Sequence, residues 1–430
     1  MAPSRSEIHD VLVVGGGPAG SSCAYWLADA GWDVVVVEKK HFPREKTCGD
    51  GLTPRAVRQL TDMGLAGALS GAHRYTGLRA CAYGMTVELP WPDHTSFASA
   101  GYVITRHDLD QIVAERAEKA GATLWQGTEA VEPMLEEGPV FAGPGVSLPA
   151  CNGATVVNRE TQRTKKIRAR QVVVADGANS RFGRALGTTR DRARPLGMAL
   201  RGYYRSPRHD DDFIESHLDI RDSSGTVLPG YGWIFPVGDG RVNVGVGLLT
   251  VEGRWRGVNT SKLMESFVAG APKSWGLSPQ SSCGPPTGGK LPMGLSMSPR
   301  VGPTTLVIGD AAGAINPFNG EGIAYGYETG RIAASCIGRA LAGEGREALA
   351  DYEKQVNDAY GLYYQVARDF VKLIGQPRRM EACMRLGMRS QKGMEWLLRI
   401  MANLLRPGEA GPPELAYRAL SAVARLAPRD

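Results

Sequence analysis

The chain has 430 residues, 43% hydrophobic and 22% charged, the balance of a folded globular protein of two or three structural units. No stretch approaches the roughly 20 uninterrupted apolar residues that span a bilayer, and Met1 to Asp10 is polar rather than of signal-peptide type. The whole of the net +6 charge lies in residues 370–430, where eleven Lys/Arg face five Asp/Glu. No DNA-binding motif accompanies that basicity, so nucleic acid is not an expected partner.

In chain order, Asp10 to Val14 reads as a buried strand, Gly15-Gly16-Gly17-Pro18-Ala19-Gly20 as a tight turn, and Ser21 to Ala30 as a helix. Gly15 permits the turn, Gly17 lets a pyrophosphate approach the backbone, and Gly20 lets helix and strand pack closely. The helix start then offers free N–H groups and a positive dipole end to phosphate. Asp33 to Val37 reads as the second strand, and Glu38 at its end is placed to accept from ribose hydroxyls and to repel a 2′-phosphate, which disfavours NADP there.

Thr53-Pro54 starts a helix to about Met63, Gly77 to Trp91 reads as strands, Arg106 to Gly121 as a helix and Ala122 to Trp125 as a strand. Gly138 to Pro149 is rich in Gly and Pro and predicts a surface excursion before the strand Gln171–Ala175. From Pro195 to Thr250 successive strands separated by turn signals predict an antiparallel sheet inserted between two halves of a nucleotide-binding domain. After the strand Thr304–Ile308, helices are expected from about Glu321 to Ala342 and from Glu344 to Ile374. Tyr352, Tyr360, Tyr363, Tyr364 and Phe370 on the second of these either pack two helices or extend a tunnel, and packing is the expectation.

The seven cysteines (23, 48, 81, 151, 283, 336 and 383) are dispersed with no CxxC pair, which argues for a reducing cytoplasm and against disulfides or structural zinc. The seven histidines are equally dispersed, so no metal is expected. The segment Arg378 to Arg406 mixes cations with Met380, Met384, Met388, Met394, Trp396, Leu398 and Met401. Two readings stand: a helix lying in the surface of an anionic membrane, or a packing helix with a solvated basic face.

Two later turns follow buried strands: Ala175-Asp176-Gly177-Ala178-Asn179-Ser180, and Gly309-Asp310-Ala311-Ala312-Gly313 leading to Asn319-Gly320-Glu321-Gly322-Ile323. A second glycine-rich site carrying an aspartate, almost a whole domain beyond the first, indicates a long cofactor held at two places, which suits FAD better than a nicotinamide dinucleotide.

GGGPAG, Glu38, Asp176-Gly177 and Gly309-Asp310 together resemble the flavoprotein fold of p-hydroxybenzoate hydroxylase type. The resemblance implies that Asp310 bonds a ribityl hydroxyl and that Gly322-Ile323, a helix start, faces the pyrimidine edge of the flavin, where its dipole favours negative charge on the reduced ring. Arg106, in an Arg-x-x-Leu-Asp pattern, resembles the arginine that reaches the FAD phosphates, Ala130 falls at the adenine side, and Lys39 adjoins Glu38. Asp176 is either a cofactor contact or a turn residue.

Arg44 to Leu52, with Cys48-Gly49-Asp50-Gly51, and Tyr231-Gly-Trp233-Ile-Phe235-Pro236 resemble the geranylgeranyl reductase family, over nearly the whole chain to about residue 340. The run Asp211 to Gly247 is most similar to the actinobacterial menaquinone reductases of that family. The resemblance places the Cys48–Gly51 loop against the flavin and the Tyr231–Pro236 strand along the prenyl chain. It implies an FAD-dependent reductase that saturates one C=C bond of a polyprenyl lipid or quinone, at the cytoplasmic face of the membrane. Tyr231, Trp233 and Phe235 alternate along a strand, so they share one face and either line an apolar wall or build a sheet core. Catalytic candidates are Cys48, Tyr231 and Trp233. With no second nucleotide fingerprint in the sequence, the electron donor is NAD(P)H in a transient encounter or a redox protein.

The implied architecture is a Rossmann-type α/β FAD domain (1–75, 100–190, 295–345), an antiparallel-sheet substrate domain (76–99, 191–294) and a basic, helical C-terminal region (346–430). Other functions hosted by the fold are weighed against this. A halogenase typically shows WxWxIP, where this chain has Tyr231 and Phe235. An aromatic hydroxylase would consume oxygen. A reductase acting on another isoprenoid remains an alternative. A non-catalytic prenyl-lipid binder has little reason to keep GGGPAG, Glu38 and Asp310 together.

Overall fold

The structure, a computed structural model, describes residues 8–136, 148–249, 257–374, 376–405 and 411–426. Most of the Gly/Pro-rich stretch 138–149 lies outside these residues.

Val11–Val14 is buried because it lies between two parallel neighbours, Val34–Val37 on one side and Gln171–Val174 on the other. A strand covered on both faces reads as a continuous apolar run, which is what the sequence shows. Beyond these the sheet continues through Thr123–Trp125 at one side and through Cys151–Asn158 and Thr128–Leu135 at the other. Thr305–Val307 joins it in parallel, with Val307 opposite Val174, which is itself opposite Val14. The turns that leave these three strands therefore open along one sheet edge, although about three hundred residues separate the first from the last. Ligands of open α/β sheets bind at that carboxyl edge.

The helix Pro18–Asp29 follows the first turn, and Ile323–Arg339 serves the last. Their first turns touch: a Cβ on Gly326 would lie 3.6 Å from the Ala19 Cβ, and one turn on a Cβ on Gly330 would lie 2.6 Å from the Ala19 carbonyl oxygen. Two helix N-termini are thereby brought to the same edge. The second helix starts at Ile323, two residues later than expected, after the turn that Asn319 to Gly322 completes.

A second seven-stranded sheet runs Thr287–Pro292, Leu196–Arg205, Arg241–Leu249, Gly230–Pro236, Phe213–His217, Gly77–Ala82, Met85–Pro90. It is antiparallel, as expected, except where Phe213–His217 runs parallel to Gly77–Ala82. Those two strands belong to separate stretches of chain, so no hairpin fixes their sense.

The C-terminal region departs from expectation in one way. The single helix expected over 344–374 is divided into Arg346–Val356 and Leu362–Ile374 by a widened turn at Asn357–Gly361, where Tyr360 donates its hydroxyl to Glu328 Oε2 at 2.5 Å. Tyr352, Tyr360, Tyr363 and Tyr364 are buried packing residues. The helices Pro377–Gly387 and Gln391–Met401 turn their apolar face inward: Met380, Met384, Met388, Met394 and Leu398 form one core with Tyr75, Leu89, Trp91 and Ile214. Burying such side chains is worth about 1.5–3 kcal/mol apiece. The amphipathic pattern is thus used on the protein itself, and Leu386 (74% exposed) and Trp396 (37%) remain outside.

Candidate active site

A single cavity of about 900 Å³ opens along the carboxyl edge of the first sheet and extends between the second sheet and the C-terminal helices. At one end lies the first glycine turn. Gly15 takes φ +105°, and a Cβ on Gly20 would sit 1.9 Å from the Gly15 carbonyl oxygen, so only glycine lets the helix close on the turn. The Glu38 carboxylate accepts from the backbone N–H of Gly16 at 3.1 Å and of Lys40 at 3.1 Å, which aims it at the turn. Arg44 crosses the same region, pairing with Glu38 at 3.3 Å and Asp110 at 2.9 Å. A Cβ on Gly17 would stand 3.7 Å from an Arg44 guanidinium nitrogen, and Arg44 Nε is buried with no hydrogen-bond partner among the described residues.

In the middle stands the loop Cys48–Gly51. Its hub is Asp50, fully buried at φ +63°. The Asp50 carboxylate accepts from the Tyr203 hydroxyl at 2.5 Å, from Asn243 Nδ2 at 2.7 Å and from the Arg106 backbone N–H at 3.3 Å. Burial raises its carboxyl to about 6 even though Tyr203, Arg201, Asn243 and Arg106 pull the other way. Asn243 also donates to the Cys48 carbonyl oxygen at 2.9 Å and accepts from Trp233 Nε1 at 2.9 Å. Burial pushes the Cys48 thiol up as well, so it stays protonated in neutral solution.

At the far end the wall is aromatic. Tyr231, Trp233 and Phe235 line the cavity from one face of their strand, with ring centroids 5.8 Å and 6.3 Å apart. Their cross-strand partners are Gly247, Gly245 and Asn243. A Cβ on Gly245 would come within 2.1 Å of the Trp233 ring, so the glycine makes the space in which the indole lies. Phe235 rests on the backbone of Gly49 and Gly51, with either Cβ position 3.2 Å from its ring. Tyr231 donates its hydroxyl to the Asn319 carbonyl oxygen at 2.6 Å, tying the wall to the turn before Ile323. Phe370, Met380, Met384, Met394 and Leu398 close the apolar side.

Gly15, Gly17, Ala19, Glu38, Lys39, Cys48, Gly49, Gly51, Arg106, Ala130, Asp176, Gly177, Asp310, Gly322, Ile323, Tyr231, Trp233 and Phe235 all line this one cavity. Gly20 lies beneath the turn in the packing role assigned to it. Pro236 is buried at the strand end and outside the lining, because alternation turns it to the opposite face from Phe235. The Asp176 carboxylate accepts from Ser180 Oγ at 2.5 Å and the Phe182 N–H at 3.0 Å, the turn-residue reading of that position. Arg106 forks onto Asp110 at 2.5 Å and 2.8 Å, leaving its role beside the cavity shared with Arg44. Arg44, Asp50 and Glu321 stand within the quoted motifs without a role of their own, and Asn243 is not singled out by sequence; the glycines on both sides of Asp50 and Glu321 are the available signal there. The fold brings ligand atoms of Cys81, Glu215 and His217, distant in sequence from one another except for the last two, within 4.8 Å. Glu215 there already holds Arg79 at 3.3 Å, His217 at 2.8 Å and Trp275 Nε1 at 3.0 Å, an ion-pair network in its own right.

The site fits an FAD. Gly15 and Gly20 leave no room for side chains, Glu38 suits a ribose, Arg44 offers an unused N–H at the turn, and Asp310 Oδ1 lies 3.0 Å from a Cβ position on Gly322, between the two glycine motifs. The comparisons agree. A sequence profile described as an FAD binding domain matches residues 9–202. A menaquinone reductase of Mycolicibacterium smegmatis is 39% identical over 93% of each chain. A digeranylgeranylglycerophospholipid reductase of Methanopyrus kandleri is 29% identical over 85% of this chain and 90% of the other. A crystal structure of a geranylgeranyl bacteriochlorophyll reductase-like protein from Thermoplasma acidophilum superposes with a TM-score of 0.73, covering 96% of both chains at 23% identity. The chain belongs to the geranylgeranyl reductase family of FAD-dependent oxidoreductases.

Proposed function

We propose that the enzyme saturates one C=C bond in the side chain of a polyprenyl quinone, menaquinone being the substrate named for the relative that is 39% identical. The observation that carries this is the single cavity that joins the nucleotide-binding turn to an apolar end built of Tyr231, Trp233, Phe235 and the C-terminal methionines. FAD, once bound and reduced, would supply the hydride, and the chain does the rest. The aromatic wall and Met380, Met384 and Leu398 bind a hydrocarbon and exclude water. The Asp50–Asn243 hub holds the Cys48–Gly51 backbone against the cavity. An isolated alkene is a poor hydride acceptor, so orientation and dryness supply most of the acceleration.

Anaerobic enzyme reduced with dithionite is expected to be reoxidised by menaquinone in detergent micelles, yielding a product heavier by two hydrogens in the side chain by mass spectrometry. A reduced flavin that persists, or quinone returned with its side chain unchanged, counts against the reading.

A substrate of this kind resides in a bilayer. Among the described residues no helix is long and apolar enough to cross a membrane. The proposed docking surface is the outer face of Pro377–Met401, where Leu386 and Trp396 stand among exposed Arg378, Arg379, Arg385, Arg389 and Lys392. The double variant Leu386→Ser, Trp396→Ser should lose co-sedimentation with anionic phospholipid vesicles while keeping FAD; undiminished co-sedimentation would remove this surface from consideration.

A further inference from the structure

We propose that Glu321 is the acid that delivers the proton to the second alkene carbon. The proposal rests on the prenyl-reductase reading above and names a residue of that same site. Among the cavity-lining groups with a transferable proton, Asp50 is taken up by Tyr203, Asn243 and the Arg106 N–H, and Tyr75 donates to the Leu52 carbonyl oxygen at 3.1 Å, which leaves Cys48, Tyr231 and Glu321 at the aromatic end. The Tyr231 hydroxyl is engaged with the Asn319 carbonyl oxygen at 2.6 Å, and burial pushes both it and the Cys48 thiol upward, making each a weaker acid.

Glu321 is held differently. Thr53 Oγ1 donates to its Oε1, and its own backbone N–H donates to Asn319 Oδ1 at 3.0 Å, so main chain and side chain are both fixed. Its Oε2 is closed to bulk water and has no hydrogen-bond partner among the described residues, yet the residue lines the cavity. A charged carboxylate oxygen left there without a donor costs far more than the neutral carboxylic acid does. The neighbouring cation offsets the charge only in part. Arg55 is committed to Glu328, with Nε 2.7 Å from Oε1 and Nη2 2.9 Å from Oε2. The other titratable groups facing Glu321 are Tyr75, Tyr231, Tyr325 and Tyr363, all neutral at working pH. Burial raises the carboxyl to about 7, against the downward pull of Thr53 and Arg55 and with a further upward push from Glu328. An acid poised near the operating pH is what general acid catalysis favours.

In the step, the hydride and its electron pair form one C–H bond. The alkene π pair takes the proton from Glu321 to form the other, the O–H bond breaks, and the carboxylate is reprotonated from water before the next turnover.

The test uses the full-length FAD enzyme and its Glu321→Gln, Glu321→Asp and Thr53→Val variants. Single-turnover reoxidation by menaquinone should slow about 10²- to 10⁴-fold in Glu321→Gln and recover partly in Glu321→Asp. The wild-type rate should fall as pH rises through about 7. Thr53→Val removes a bond that stabilises the ionised form, so its falling limb should move to higher pH, a shift that a merely structural role would not produce. Independently of turnover, the infrared C=O stretch of one protonated carboxyl, separate from that of Asp50 near pH 6, should vanish near pH 7 in wild type and be missing from Glu321→Gln, with the Asp50 band retained. Reoxidation of Glu321→Gln at the wild-type rate, an unshifted limb in Thr53→Val, or the absence of that infrared titration overturns the assignment. If wild-type enzyme itself is not reoxidised by menaquinone, the proposed function fails, and the infrared titration alone still decides whether Glu321 holds a proton.

Discussion

Asn243 and Asp50 meet at 2.7 Å in the interior, and the same Asn243 amide reaches the Cys48 carbonyl oxygen at 2.9 Å and Trp233 Nε1 at 2.9 Å. One buried amide thereby ties the cofactor-side loop to the substrate-side wall. Truncating it leaves a buried carboxylate, a carbonyl and an indole N–H each short of a partner. Each such orphan costs about 1–3 kcal/mol. Asn243→Ala should therefore lower stability by roughly 3 kcal/mol or more in urea unfolding and shift the Trp233 fluorescence. A change below about 1 kcal/mol would show that the hub is not holding the loop.

Asp50 makes stability depend on pH in an unusual direction. Its folded carboxyl titrates at about 6 against an ordinary value of 3.8, because burial disfavours the charged form. Between those values the folded state keeps a proton that the unfolded state has lost, so stability falls as pH rises from about 4 to about 6 and is level beyond. The loss is on the order of 3 kcal/mol for this group alone. Asparagine tolerates the φ of +63° at this position, so Asp50→Asn preserves the backbone. The difference in unfolding free energy between wild type and Asp50→Asn should slope downward over that window, and a flat difference would contradict the assigned burial effect.

Arg44 is the cation nearest the first glycine turn, spanning Glu38 and Asp110 with its Nε unused. A charge-assisted contact to a phosphate or ribose is worth about 1.5–3 kcal/mol, so Arg44→Ala should weaken FAD binding about 10- to 100-fold in fluorescence titration of the apoprotein. Arg44→Lys should recover only part of this, since the ammonium cannot fork across two acids. Unchanged affinity would assign that contact to Arg106 or Lys39 instead.

These residues also show where sequence stops being informative. Gly15 to Gly20, Glu38, Asp310 and Gly322-Ile323 are legible because each sits in a strand–turn–helix whose geometry is local, and the cavity collects them as that geometry requires. Asn243 and Cys48 are 195 positions apart and Thr53 and Glu321 are 268 apart, so nothing local announces either pair. Gly245 reads as a weak strand residue until Trp233 is seen to occupy the space it leaves. The segment 378–406 is ambiguous for a different reason. A helix facing lipid and a helix facing a protein cavity carry the same apolar stripe, and only the packing of Met380, Met384 and Leu398 on Leu89, Trp91 and Ile214 separates them.

That packing yields a prediction about chain length. Met384 is 4% exposed and lines the apolar end of the cavity from the Pro377–Gly387 helix, opposite the second sheet. If that end accommodates the distal part of a prenyl chain, filling it should penalise long substrates and spare short ones. Met384→Trp adds bulk at the wall, and overpacking of this kind costs about 1–3 kcal/mol of stability, which thermal melting would report. Measured across a series of prenyl quinones, kcat/KM for long chains should fall about tenfold or more, which corresponds to about 1.4 kcal/mol of binding. For chains of one or two isoprene units it should stay within a factor of about two, since these need not reach Met384. An equal fall at every length would mean that the introduced indole disturbs the reaction centre instead, and that the methionine face shapes the protein without measuring the substrate.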